Sequence, residues 1–235
     1  MLFLGMPNKQ LTRVPEPTRR RLSQAQEDYV KAIYHLGGAG QPVSTSQLAD
    51  RLGVSAASAT EMLGKLAGMD LVSHDRYRGA SLTRTGEAVA LEVVRHHRLL
   101  EMFLSKKLGY AWDEVHEEAE LLEHVISERM EERIFEALGR PEVDCHGDPI
   151  PTLQGRVEEA PQRSLLSARV GELLHVRRVS DRDPGKLRVL DQLGLRLGVE
   201  VEVLAESEYE GPVQVRVAGR RRQVPVGIAR EVYVG

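Results

Sequence analysis

Two histidine and glutamate spacings in this sequence have the makings of a cation site. His97 and Glu101 are four residues apart, and His116, Glu120, Glu123 and His124 fall at i, i+4, i+7 and i+8. On a helix of about 3.6 residues per turn, each set projects from one face. Val125 and Ile126 flank the second set, so that face points at protein and not fully at water. Buried carboxylates without a cation are costly, and a divalent metal removes the cost. Taken alone, His97 would be a packed side chain, and Glu120 or Glu123 a surface residue. The joint pattern points to metal. Imidazole and carboxylate donors suit manganese, ferrous iron, cobalt or zinc. The single cysteine, Cys145, excludes an internal disulfide framework and a Cys-rich zinc site, which leaves nitrogen and oxygen as the expected donors.

These residues need two helices to carry them. "TGEAVALEVVRHHRLLEMFLSKKLG" places Val89, Val93, His97, Leu100 and Leu104 in one broad apolar stripe that ends at Gly109. "HEEAELLEHVISERMEERIFEAL", His116 to Leu138, reads as one continuous second helix. Between Asp113 and Glu136 ten acids face only Arg129 and Arg133. That exceeds what a metal needs, so most of them form a solvated face.

Upstream lies a different kind of site. Ser23 caps a first helix carrying Tyr29, Ile33 and Leu36, which ends in Gly-Gly. A short helix from Thr45 or Ser46 to Leu52 follows, then a turn at Gly53, then a helix from Ser55 to about Gly68 that buries Ala59, Met62, Leu63 and Leu66. Helix, tight turn, helix is the helix-turn-helix arrangement, and "LVSHDRYRG" with "ASLTRTG" supplies two short strands as a wing. The exposed face of the second helix is small and hydroxylated at Ser55, Ala56, Ser58 and Thr60, which allows close approach to bases and phosphates. Lys65, Arg76, Arg78 and Arg84 cluster as phosphate contacts must. A plain three-helix packing unit would not need those cations.

The chain has 235 residues, a formal net charge of −3 and a 41% hydrophobic share, the balance of an ordinary soluble protein. No apolar run reaches the roughly 18 residues of a membrane span, and the opening "MLFLGMPNK" is too quickly polar for a signal peptide. The expected location is the cytoplasm. The first 21 residues carry Lys9, Arg13, Arg19, Arg20 and Arg21 against Glu16, a flexible basic tail. After "GDPIPTLQG" the pattern alternates in short runs such as "VEVEVLA" and "VQVRVAG", which predicts a small β-barrel. "GRRRQ" reads there as the solvated charge of a hairpin.

Taken together, "EDYVKAIYHL", the helix-turn-helix with its wing, "RHHRLLEMFL", "HEEAELLEHVISERMEERI" and "GDPIPT" resemble the metal-dependent transcriptional repressors typified by the diphtheria toxin repressor and the manganese transport regulator. The resemblance spans Leu22 to Thr152, and "LGLRLGVEVEVL" extends it to the SH3-like, FeoA-like domain of longer members. It implies a primary metal site of Asp28, Glu120, Glu123 and His124, and an ancillary site of His97, Glu101 and His116, to which the C-terminal domain adds a ligand, with Asp183 the nearest match. Asp28 and Glu120 offer oxygen where the iron-responsive branch has Met and Cys, which favours manganese. Lys31 stands where the manganese regulator has a second carboxylate, which favours two separated sites over a closely bridged pair. The base-reading positions fall on Ser55, Ala57 and Glu61. Glu61 departs from the residues of better-known members, so the operator does not transfer.

The expected architecture is mainly α with small β parts. It comprises a tail at 1–21, a winged helix-turn-helix at 22–92, a helical metal-binding and dimerisation domain at 93–152, a linker at 153–165 and an SH3-like barrel at 166–235. The expected function is a regulator activated by Mn2+ or Fe2+, with Co2+, Zn2+ or Cd2+ able to bind in vitro, that represses metal-uptake genes. It would bind double-stranded operator DNA as a homodimer, with no membrane, no small organic substrate and no enzymatic activity. Alternatives are an iron-dependent regulator, a DNA-binding protein whose metal is purely structural, and, least favoured, a metal-dependent hydrolase using Glu123 as base.

Overall fold

The computed structural model describes residues 22–37, 40–75, 78–181, 183–207 and 211–235. The basic tail at 1–21 and Arg76 of the wing lie outside them. The chain divides into two compact units, one reaching to His96 and including Pro151–Val157, the other comprising His97–Ile150 and Glu158–Gly235.

In the first unit, α1 (Gln24–Gly37), α2 (Thr45–Leu52) and α3 (Ala56–Gly68) pack around Ile33, Leu48, Leu63 and Leu66, with the strands β1 (Val72–Asp75) and β2 (Gly79–Leu82) behind them. Local chemistry sets the helix ends. Ser44 and Gln47 form a reciprocal capping box at the start of α2, and Gly53 closes it in the left-handed conformation. Two residues later Ser55 caps α3, its Oγ accepting from Ser58 N at 3.0 Å. The wing strands pair antiparallel from Val72↔Leu82 to Asp75↔Gly79. Val43 adds two bonds to Ala80, each 2.8 Å.

The division between the units falls within α4 (Arg84–Phe103), after His96. The second unit continues that helix through a wide turn at Leu104–Leu108, which Gly109 ends, as the sequence predicts. The acidic stretch is not one helix, however. It forms α5 (Val115–Leu122) and α6 (Glu128–Ala137), separated by a turn. The cause is Ser127, whose side chain accepts from Met130 N and starts a new helix after β-branched Val125 and Ile126. Leu99, Leu100, Val115, Ala119 and Ile134 form the core of this part.

The C-terminal part of the same unit is a five-stranded antiparallel sheet in the order β6-β5-β4-β3-β7, built from β3 (Leu173–Val179), β4 (Glu200–Ala205), β5 (Val213–Val217), β6 (Arg220–Val224) and β7 (Val232–Val234). The helix α7 (Pro184–Leu193) and the single turn α8 (Val226–Ala229) cover it. The alternation in "VEVEVLA" and "VQVRV" sends Val201, Val203, Val215 and Val217 inward, and Trp112 from the helical segment joins this core. "GRRRQ" forms the start of edge strand β6, with Arg220 and Arg221 exposed.

Candidate metal centre

Within the second unit, α4 and α5 bring the predicted histidines and glutamates together. His97 Nδ1 donates to Glu123 Oε2 at 2.6 Å, and its Nε2 lies 3.1 Å from Glu101 Oε1. His116 Nδ1 is 3.3 Å from the same Glu101 oxygen and 3.1 Å from His97 Nε2. Glu120 Oε1 stands 3.8 Å from both His97 Nδ1 and His116 Nε2. Because α5 ends at Leu122, Glu123 and His124 sit on the turn that follows it, where His124 Nε2 is 3.4 Å from Glu123 Oε1. Glu101 and Glu123 are each 0% exposed, and His97 is buried beside them.

Glu101 is the pivot of this cluster. Burial works against its charge, but His97, His116 and His146 outweigh burial and hold the carboxyl well below the usual carboxylate range. Its Oε1 faces His97 and His116. Its Oε2 is buried with no hydrogen-bond partner, 3.6 Å from His146 Nδ1.

His146 and its neighbour Cys145 join this cluster, although no helical spacing in the sequence marks them. His146 is fully buried, stacked on Trp112, and its Nε2 donates to Trp112 O at 3.0 Å. That bond leaves Nδ1 as the nitrogen offered to Glu101, the way metal-ligating histidines are oriented from behind. Cys145 Sγ is 3.5 Å from His146 Nδ1. Burial pushes the Cys145 thiol up, so without a metal it is not a reactive thiolate.

The loop carrying this pair is tightly held. Asp144 Oδ1 accepts from His146 N at 2.8 Å and Asp148 N at 2.9 Å, while Val179 N donates to His146 O at 2.9 Å. A side chain on Gly147, at φ +91, would stand 2.2 Å from Arg177 O, so only glycine lets the loop lie on β3. Burial, then the charges of Glu101 and Asp148, push the Asp144 carboxyl up to about 7.

Among the described residues of this unit, three groups have one ligand atom per residue within 4.8 Å of each other: His97, His116 and Glu120; Glu101, Cys145 and His146; and Glu101, His116 and Asp181. The orphaned buried oxygen of Glu101 and the carboxylate, imidazole and thiol donors around it fit a divalent metal. Cys145 therefore belongs among the candidate donors, against the expectation that only nitrogen and oxygen would serve.

Asp181 departs from expectation, since Asp183 was the position matched in the sequence. Asp183 caps α7, its Oδ1 accepting from Gly185 N at 2.8 Å and Lys186 N at 3.3 Å. Pro184 in the first turn marks that cap in the sequence. Asp28 lies on α1 in the first unit. The DNA-binding candidates Ser55, Ala57, Ser58, Thr60, Glu61 and Lys65 are exposed on or beside α3, and Arg78 is exposed at the wing.

Three family models match in succession: an iron-dependent repressor N-terminal DNA-binding domain over residues 21–80, an iron-dependent repressor metal-binding and dimerisation domain over 83–152, and an FeoA domain over 163–235. A solved manganese-dependent transcriptional repressor in complex with manganese is 43% identical, with a TM-score of 0.82 over 89% of this chain and 99% of its own. This chain belongs to the metal-dependent transcriptional repressors. Within that family, the solved manganese regulator SloR is 34% identical over 89% of this chain and 97% of its own, with a TM-score of 0.71. The diphtheria toxin repressor of Corynebacterium jeikeium is 29% identical over 78% of each chain. The family is one of DNA-binding regulators and not of enzymes. Among the described residues, no helix is long and apolar enough to cross a membrane.

Proposed function

We propose that this protein is a manganese-activated repressor of metal-uptake genes, cytoplasmic, that binds a two-fold operator as a homodimer. The observation that carries the reading is the pair of fully buried carboxylates, Glu101 and Glu123, that meet on the two ring nitrogens of His97. The primary set is Asp28, Glu120, Glu123 and His124. Asp28 enters it through the match of the chain's motifs to the family. Three carboxylates and one imidazole form a hard donor set, which suits manganese, with ferrous iron next. The manganese-bound structure of the 43% identical repressor supports that choice.

The ancillary set is His97, Glu101 and His116, with Asp181 in place of Asp183. A second reading of it has its own support. The Glu101 Oε2 that lacks a partner faces His146, whose outer nitrogen is held by Trp112 O, and this favours Glu101, Cys145 and His146 instead. Cobalt loading separates the two, because only the second gives thiolate-to-cobalt absorption, and Cys145→Ser removes it.

When bound, the metal supplies positive charge that makes the buried carboxylates favourable and favours the DNA-competent population over the apo ensemble. The protein's part is to offer Asp28 from α1 and the other ligands from α5 and the turn after it. In the first unit, α3 is the helix suited to the major groove, and Arg78 of the wing to phosphate. For the dimer, Leu121 at the end of α5, Val125 on the turn after it and Met130 on α6 are exposed apolar side chains, 68% and 74% for the first two, and they are the candidates for the interface.

Asp28→Ala tests the assignment. Metal-dependent DNA affinity should disappear while the dimer and its helical content remain. Unchanged metal-dependent affinity would remove Asp28 from the site.

A further inference from the structure

The outward face of α3 narrows which base this protein reads. Ala59, Leu63 and Leu66 are fully buried, which leaves Ala57, Glu61, Gly64, Lys65 and Gly68 on the opposite side at i, i+4, i+7, i+8 and i+11. Neither glycine has a packing reason to be there, since a side chain on Gly64 or Gly68 would meet nothing within 4 Å. Glycine is also a poor helix former, so Gly64 in mid-helix weakens α3 relative to alanine. What they provide is a face flat enough for close approach of a second body.

Most hydroxyl hydrogens on this face are already used. Thr60 Oγ1 donates to Ala56 O at 2.8 Å, and Ser55 Oγ and Ser58 Oγ share one hydrogen at 2.8 Å. Alanine, serine and threonine are also short. Glu61 and Lys65 are the side chains on this stripe long enough to enter a groove. They form a pair, Lys65 Nζ to Glu61 Oε1 at 2.8 Å, with both side chains more than half exposed.

That pair resolves the difficulty of a carboxylate facing DNA. Lys65 offsets the repulsion between Glu61 and phosphate and occupies one carboxylate oxygen, leaving the other to accept. In the major groove a carboxylate is repelled by the acceptors of guanine, N7 and O6, and by thymine O4. Adenine offers its N6 amino group next to an N7 acceptor. Cytosine offers its N4 amino group with no acceptor beside it on that edge.

We propose that Glu61 specifies cytosine at one position of each operator half-site, with Lys65 as the positioning residue. This rests on the reading of α3 as the recognition helix of a metal-dependent DNA-binding protein. The test is selection from a randomised duplex pool by the full chain with manganese, for wild type and Glu61→Gln, followed by affinity measurement on single-base variants of the selected site.

Wild type should prefer cytosine at one position per half-site by about 5-fold to 150-fold. Glu61→Gln, which can both donate and accept, should shift that position to adenine and leave the others unchanged. Because Glu61 is exposed, the variant should keep the wild-type melting temperature. The same preference at every position in wild type and Glu61→Gln would overturn the proposal while leaving metal-dependent binding intact. Failure of wild type to select any site with manganese would instead overturn the reading beneath it.

Discussion

His97 Nδ1 lies 2.6 Å from Glu123 Oε2, and the opposite nitrogen of the same ring lies 3.1 Å from Glu101 Oε1. One imidazole thus touches a carboxylate of each proposed metal set. Whichever metal arrives first has to reorient a group that the other set uses, so the two sites should fill as a coupled pair.

His97→Ala should uncouple them. In calorimetric titration with manganese the variant should keep one metal equivalent and lose the other, because His97 is itself a ligand of the ancillary set. Two equivalents with unchanged affinities would mean that His97 only fills space.

Asp181 and Asp183 provide an internal control, two carboxylates two residues apart with different work. Asp183→Ala should cost the second unit about 1 kcal/mol through loss of the α7 cap, measured by denaturant unfolding, with metal affinity unchanged. Asp181→Ala should do the reverse, leaving stability in place and weakening the ancillary site.

The exposed apolar side chains Leu121, Val125 and Met130 make a prediction about assembly. Leu121→Glu places a charge where Leu121 and Val125 are most exposed, so it should not disturb the monomer's core. Analytical ultracentrifugation should show a monomer, and operator affinity should fall with it. A variant that stays dimeric would place the interface elsewhere.

Close packing behind the helix-turn-helix is testable through Gly86. A side chain there would stand 1.9 Å from the carbonyl oxygen of Leu71, a backbone atom with no freedom to retreat. Gly86→Ala should destabilise the first unit by about 3 kcal/mol, read as a lowered midpoint of thermal unfolding.

The winged helix-turn-helix was legible because its signals are local: Ser44 and Ser55 at N-caps, Gly53 at a turn, and leucines at helical spacing. Helical periodicity likewise aligns His97 with Glu101 and His116 with Glu120, whereas Glu123 and His124 reach the cluster from the turn after α5, which the helical pattern does not show. What the sequence concealed is non-local or weakly signalled. Cys145 and His146 reach Glu101 only because Gly147 and Asp144 hold their loop on β3, a contact between segments about thirty residues apart. The break after Leu122 turns on one serine cap inside an otherwise helical pattern. Asp183 caps a helix whose start Pro184 marks, so the family match by position misses a local signal.

The central claim is tested most directly by the affinity for DNA from upstream of the protein's own gene. It is measured at fixed salt in chelator, and then across separate manganese and ferrous iron titrations. Binding should be weak in chelator and rise with metal, reaching half its maximum at lower free manganese than free iron. Equal affinity in chelator and in saturating metal would contradict the claim, and would make the buried cluster of Glu101, Glu123 and His97 a structural element only.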